Sequence, residues 1–174
     1  LTGLYNYRYF HERLGSEMSR ALRYHRPVAL VMIDLDDFKS INDRCGHLVG
    51  DDVLRAVANV LKEQIRRYDE PMTVKGTEID TATRYGGEEF MIIMPETEAA
   101  GAVCAAERLR AAIEADAGKS AGLPPREGRP WSVTGSFGVT PLHPDDTPES
   151  FIKRADTAVY EAKKRGKNRV TLIP

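Results

Sequence analysis

The first apolar residues of the chain recur every three to four positions, as Phe10, Leu14, Met18, Ala21 and Leu22. That spacing lines one face of a helix, and Asn6 just ahead is a residue type that caps a first turn. Pro27 closes the segment. The next stretch, Val28-Ala29-Leu30-Val31-Met32-Ile33, is short, branched and apolar throughout. It predicts a strand buried on both faces, with Asp34 at its C-terminal end. Asp37 to Arg44 predicts a short helix ending near Gly46. Asp51 and Asp52 open a longer one, with Val53, Leu54, Val57, Val60, Leu61 and Ile65 at helical spacing. Acids at that end suit the helix dipole. Tyr68 to Gly76 is polar, contains Pro71 and reads as a loop.

Thr81 to Tyr85 and Glu89 to Met94 are strand-like and flank Gly86-Gly87. Paired glycines there mark a hairpin, because glycine takes positive φ without strain. Ala99 to Ala115 predicts a helix with Val103, Ala106, Leu109 and Ile113 on one face. Gly118 to Pro130 reads as a surface loop and Trp131 to Thr140 as a strand. Thr147 caps a helix that starts with Pro148. Its stripe is Phe151, Ile152, Ala155, Ala158, Val159 and Ala162, and Gly166 ends it. Val170 to Ile173 is a final strand. Helices and strands alternate, and the hairpin requires an antiparallel pair. The expected fold is α/β, one domain with a mixed sheet flanked by helices.

Composition narrows the function. The 174 residues suit one domain, and 41% hydrophobic with 29% charged residues is ordinary for a chain that buries a core. Lys and Arg total 25 against 26 Asp and Glu, a net charge of −1, which argues against a bulk nucleic-acid binder. No apolar run approaches the ~18 residues that span a membrane, and Leu1 to Phe10 is not a signal peptide. Cys45 and Cys104 make neither a disulfide framework nor a zinc site, and read as free thiols in a reducing compartment. The balance hides an asymmetry. Asp34 to Asp52 holds six acids against two bases, or −4, while Lys153 to Arg169 holds seven bases against two acids, or +5. These are either two solvated helix faces or two halves of one site. In the second reading, carboxylates hold a hard cation and bases hold the anion it bridges.

Ligands of α/β folds favour strand ends such as that of Asp34. The hairpin carries two consecutive carboxylates, Glu88 and Glu89. Adjacent strand residues point to opposite faces, so the two need not share a role. If the hairpin lies beside the first strand, one of them approaches Asp34. Two carboxylates and the Leu35 carbonyl then suit Mg²⁺, which takes few protein ligands. Taken alone, Asp34, Asn42 and Asp51 also fit as helix caps. Lys163 and Lys167, four apart on one helix face, also fit as cations at a helix C-terminus.

Five ordered stretches resemble the GGDEF domain family, and together they span nearly the whole chain. Arg84-Tyr85-Gly86-Gly87-Glu88-Glu89-Phe90 resembles its signature in the GGEEF form. Leu1-Thr2-Gly3-Leu4-Tyr5-Asn6 resembles its opening. Asp34-Leu35-Asp36-Asp37-Phe38-Lys39-Ser40-Ile41-Asn42-Asp43, with Gly46-His47 and Gly50-Asp51, resembles its longest motif. Ser136-Phe137-Gly138-Val139 resembles its late strand. Ala155-Asp156-Thr157-Ala158-Val159-Tyr160-Glu161-Ala162-Lys163 with Gly166-Lys167-Asn168 resembles its final helix.

The resemblance implies a palm-like mixed sheet of about five main strands, similar to class III nucleotide cyclases. It implies a diguanylate cyclase, joining two GTP into cyclic di-GMP with release of two pyrophosphates. Two domains would face each other as a homodimer, with two Mg²⁺ or Mn²⁺ ions per GTP. Residues 1–174 would be one catalytic output domain cut from its regulatory segment. It would be cytoplasmic, making no contact with DNA, RNA or membrane, although the full protein could be anchored through other segments. Asp34, the Leu35 carbonyl and Glu88 would hold metal, with Glu88 as proton acceptor and Glu89 in support of catalysis. Asn42 and Asp51 would read the guanine. A carboxylate accepts from its N1–H and amine, and an amide both donates and accepts. Backbone amides at Phe38 and Lys39, the Lys39 cation, Lys163 and Lys167 would hold the phosphates, with His47 beside the nucleotide loop.

The chain departs from the family at two places. Lys167 stands where many members carry arginine, which keeps the charge and loses the planar fork. Thr77-Glu78-Ile79-Asp80 stands where many members carry Arg-x-x-Asp, the site at which product inhibits. Asp80 is kept but Thr77 supplies no charged bidentate donor, so that site is expected to be degenerate unless Arg66 or Arg67 substitutes. Other function classes compatible with the resemblance are a silent receptor for GTP or cyclic di-GMP and a cyclase of altered base specificity. Cys45 reads as a small buried residue, and Trp131 and Tyr160 as core.

Overall fold

The uniformly apolar run becomes the middle strand of a five-stranded sheet in the computed structural model, which describes residues 1–65, 80–123 and 132–174. The elements are α1 (Tyr7–Tyr24), β1 (Val28–Leu35), α2 (Phe38–Cys45), α3 (His47–Gln64), β2 (Thr81–Arg84) and β3 (Glu89–Pro95). They continue with α4 (Ala99–Ala112), a π-helical turn (Ile113–Ala117), α5 (Gly118–Ser120), β4 (Gly135–Pro141), α6 (Pro148–Lys164) and β5 (Val170–Leu172). The strand order is β2-β3-β1-β4-β5. β1 pairs antiparallel with β3 and β4, β2 pairs antiparallel with β3, and β5 joins β4 in parallel. The mixed sheet flanked by helices is therefore as the pattern predicts.

Strand alternation sorts β1 between two cores. Ala29, Val31, Ile33 and Leu35 pack with Val53, Leu54 and Val57 of α3 and Ala106 and Leu109 of α4. Val28, Leu30 and Met32 pack with Phe10, Leu14 and Met18 of α1 and Phe151, Ala155 and Val159 of α6. Both faces are covered, which explains why the strand has no polar side until Asp34. The same parity puts Asp34 on the face shared with α6.

Helix α6 packs its backbone directly against β4 because β4 carries Gly138. A Cβ there would overlap the Ala155 carbonyl oxygen and come within 2.7 Å of the Val159 nitrogen. At the other end Thr147 accepts from the Ser150 N–H at 3.2 Å, and the Ser150 hydroxyl accepts from the Thr147 N–H at 3.0 Å. The Thr147 cap with Pro148 first in the helix is as expected, and Ser150 adds the reciprocal bond. Asn6 caps α1 by accepting from the Tyr9 N–H at 3.0 Å.

Several expectations are corrected. Leu22 is 40% exposed, and Glu17 instead occupies a buried position on α1, with Arg13 at 2.9 Å and Arg20 at 3.2 Å. β1 does not stop at Ile33: Asp34 pairs with Glu89 and Ser136, and Leu35 with Gly135, so the ladder carries it on. α3 starts at His47 rather than at Asp51, because Gly46 at φ 85° reverses the chain directly after α2. Helical structure persists past Ala115 to Ser120, with Ile113 and Ala117 fully buried. β4 starts at Gly135. Tyr160 is 59% exposed on α6, not core, and Cys45 is half-buried. Trp131, the Tyr68–Gly76 loop and the greater part of the Gly118–Pro130 segment lie outside the described residues.

Candidate functional site

Asp34 and Glu89 face each other across the β1–β3 ladder. Directly opposed residues share a face, so Glu89 is the carboxylate brought alongside Asp34. Glu88 lies in the turn before β3. Its carbonyl accepts from the Leu35 N–H at 3.3 Å, which holds it against the end of β1. Three acidic residues thus lie where β1 leaves the sheet, with Asp34 and Glu89 directly opposed. Neither Gly86 nor Gly87 takes the positive φ that paired hairpin glycines predict. At Gly86 a Cβ would overlap Glu89 Oε2, so a larger residue there would displace that carboxylate. The Arg84 guanidinium fastens the turn by donating to the Gly87 carbonyl from Nε (3.1 Å) and Nη2 (2.9 Å).

Crowding shows in the protonation of this end. Burial pushes the Glu89 carboxyl above its usual range, and the charges of Asp34, Glu88 and Asp156 push it further, against the pull of Lys163. The Lys163 ammonium stands 2.7 Å from Asp34 Oδ1. Tyr85 is raised to about 12 by burial, by the Tyr7 hydroxyl and by the charges of Glu89 and Asp156. Its phenol therefore stays protonated near neutral pH and is no base.

A second ion pair lies next to the first. Lys167 Nζ is 2.6 Å from Asp37 Oδ1, and that bond raises the lysine's pKa. Asp37 takes φ 55° and turns the chain into α2, whose first helical bonds are donated by Ser40 and Ile41 to the Asp37 carbonyl. The amides of Phe38 and Lys39 precede those bonds, as first-turn N–H groups do. The Phe38 side chain is buried and that of Lys39 exposed. The −4 and +5 segments meet through these two pairs. The Lys167 pair is exposed, and such pairs contribute no more than about 1 kcal/mol, so it can open for a stronger anion.

Asn42 on α2 and Asp51 on α3 are both half-buried where the two helices pack together. Gly50 lets Asn42 lie against α3: a Cβ there would overlap Asn42 Oδ1 and approach Phe38 Cζ to 3.3 Å. His47 is exposed at the start of α3. Asp80 is buried just ahead of β2, whereas Thr77, Arg66 and Arg67 lie outside the described residues. The sequence reading passed over the roles of Gly50, Asp36, Asp156 and Asn168. Gly50 directly before Asp51, and Asp36 in phase with Asp34, were the available signals.

No three His, Cys, Asp or Glu side chains among the described residues form a ready metal cage. The expected set is sparser, two carboxylates and one carbonyl, all hard oxygen donors of the kind Mg²⁺ and Mn²⁺ accept. The raised Glu89 and the lysine drawn onto Asp34 mark an end rich in negative charge, so the residues fit a hard divalent cation.

Residues 1–169 match the family model described as diguanylate cyclase, GGDEF domain. The chain is 42% identical over 172 residues to the response regulator PleD of Caulobacter vibrioides, covering 98% of this chain and 34% of that protein. It therefore spans about a third of that relative's length. The coiled coil and GGDEF domain of DgcB from Caulobacter crescentus, solved in complex with c-di-GMP, superposes with a TM-score of 0.82 at 29% identity, over 99% of this chain and 83% of that one. The active GGEEF domain of a diguanylate cyclase from Vibrio cholerae gives 0.79 at 28% identity, over 98% of both chains.

Proposed function

Because the chain belongs to the GGDEF family, we propose that it is one catalytic domain that condenses two GTP into cyclic di-GMP and two pyrophosphates. The observation that carries this reading is the meeting of Asp34, Glu88 and Glu89 with Lys163 and Lys167 at one end of the sheet. It supports a site that takes an anionic substrate together with a cation.

Asp34, the Leu35 carbonyl and Glu88 would hold Mg²⁺ or Mn²⁺, two ions per GTP. When bound, the metal neutralises phosphate charge and eases ionisation of the attacking hydroxyl. Lys163, Lys167, Lys39 and the amides at Phe38 and Lys39 hold the triphosphate. Asn42, packed against Gly50, and Asp51 hold the guanine edge beside His47. An adenine there would leave buried polar groups unpaired, at a cost of about 1–3 kcal/mol. Glu88 takes up the proton of the 3′-hydroxyl, and Glu89 sustains the negative field beside it. One copy presents one GTP, so closing the ring needs a second copy. Each 3′-oxygen bonds to the partner nucleotide's α-phosphorus as pyrophosphate leaves. No helix among the described residues is long and apolar enough to cross a membrane, and the reading places the domain in the cytoplasm.

The test is incubation with Mg²⁺ and GTP or ATP, followed by separation of the products. We expect cyclic di-GMP from GTP, and a drop of at least about 100-fold for Glu88→Gln, with an unchanged circular dichroism spectrum. A demonstrably dimeric preparation that yields no cyclic di-GMP overturns the proposal.

A further inference from the structure

Asp36 is two residues past Asp34 and in phase with it, yet its carboxylate is occupied by the protein itself. It is buried, and it accepts from the Thr134 hydroxyl at 2.8 Å, the Ser136 hydroxyl at 2.7 Å and the Asn168 backbone N–H at 3.0 Å. Its own N–H donates to the Thr134 carbonyl at 2.8 Å. A carboxylate offers about four acceptor positions, so Asp36 has little left for a metal.

The Asn168 bond joins Asp36 to the turn after α6. There Lys167 and Asn168 take φ 63° and 44°, a region that residues other than glycine occupy only where the surroundings hold them. Asp36 holds the backbone of this turn from one side. From the other, the Asn168 side chain accepts from Arg110 Nη1 at 2.9 Å and donates to Glu114 Oε1 at 2.9 Å. The turn so fixed delivers the Lys167 ammonium to Asp37, at the start of α2.

We propose that Asp36 is a positioning residue: by clamping the Asn168 N–H it sets Lys167 in register with the Asp34 end of β1. One carboxylate would thereby fix the spacing between the phosphate-binding and metal-binding ends of the site. This rests on the reading of Lys167 as a triphosphate ligand. Outer groups of this kind typically change affinity by roughly 10- to 100-fold when lost.

The test measures affinity for a non-hydrolysable GTP analogue by calorimetry, together with KM and kcat for GTP and thermal unfolding. Asp36→Ala should weaken analogue binding about tenfold and raise KM more than it lowers kcat. Asp36→Asn should restore most of the affinity. Its amide oxygen can keep the Asn168 bond while its NH₂ turns to the Ser136 hydroxyl, which accepts as readily as it donates. In a Lys167→Ala background, Asp36→Ala should have little further effect, because both losses act through the same ammonium. Should Asp36→Ala fail to fold, Ser136→Ala, which removes a hydroxyl that holds the Asp36 carboxylate against the Asn168 N–H, takes its place in the same cycle. Multiplying effects, or a fall in melting temperature alone, would overturn the proposal. If Lys167→Ala leaves affinity unchanged, the reading of that lysine fails and the inference with it. If Lys167→Ala weakens binding and Asp36→Ala does not, the inference alone fails.

Discussion

Gly50 sits inside α3, where alanine would ordinarily be the better helix former by about 1 kcal/mol. Here the contact decides otherwise, because the methyl would overlap Asn42 Oδ1. Gly50→Ala should raise KM for GTP about tenfold, as displaced recognition groups do. It should also narrow the preference for GTP over inosine triphosphate, which lacks the exocyclic amine. Steady-state kinetics with both nucleotides checks this, and an unchanged ratio of kcat/KM would reject it. At this scale the sequence showed which side chains carry charge but not what each one meets. Asp34, Asp36 and Asp37 read alike as a run of acids. In the fold one faces Glu89 and Lys163, one is enclosed by three donors, and one holds Lys167. Those partners come from 55 residues away, for Glu89 opposite Asp34, to 132, for Asn168 on Asp36. Glu89 rather than Glu88 lies opposite Asp34 for the same reason: register belongs to the pairing of two strands.

Helix α6 shows what one element contributes. Asp146, just ahead of it, receives both terminal nitrogens of Arg154 at 2.7 Å. Burial alone would raise its pKa, but Arg154, the His143 N–H and the Ser150 hydroxyl hold it at about 2. A depressed carboxylate stabilises the fold above its unfolded pKa and loses that contribution as the folded value is passed from above. The contribution is on the order of 2 kcal/mol near neutral pH, fading between about pH 4 and pH 2. Urea unfolding of the wild type and Asp146→Asn should differ by that amount near neutrality and converge near pH 2. A difference that persists there would count against the assignment. Element types were legible because periodicity reports burial directly: helices α1 and α6, their Asn6 and Thr147 caps and the apolar middle strand all appear where expected. Boundaries were less so. Whether β1 stops at Ile33 or carries on to Leu35 depends on Gly135 and Ser136 lying beside it, and whether α4 stops at Ala112 depends on what buries Ile113 and Ala117.

At the scale of the molecule, a net charge of −1 conceals two opposed segments that fold against each other. The alternation of helices and strands made the layers legible, while the order β2-β3-β1-β4-β5 follows from pairings between distant segments. On the proposed reading each copy carries half of the reaction, so specific activity should rise with protein concentration in the dilute range. Joining two copies by a short flexible linker should remove that dependence by raising the effective concentration toward the millimolar range, ~1 mM. Turnover per chain that is constant on dilution would reject the two-copy requirement. The place of Asp34 on β1 has a separate consequence. β1 is hydrogen-bonded along both edges and covered on both faces, so its amides belong to the part of a protein that exchanges with solvent only through global opening. The carboxylate end is thus anchored in a strand of that protected class, and its order should be as durable as the native state itself.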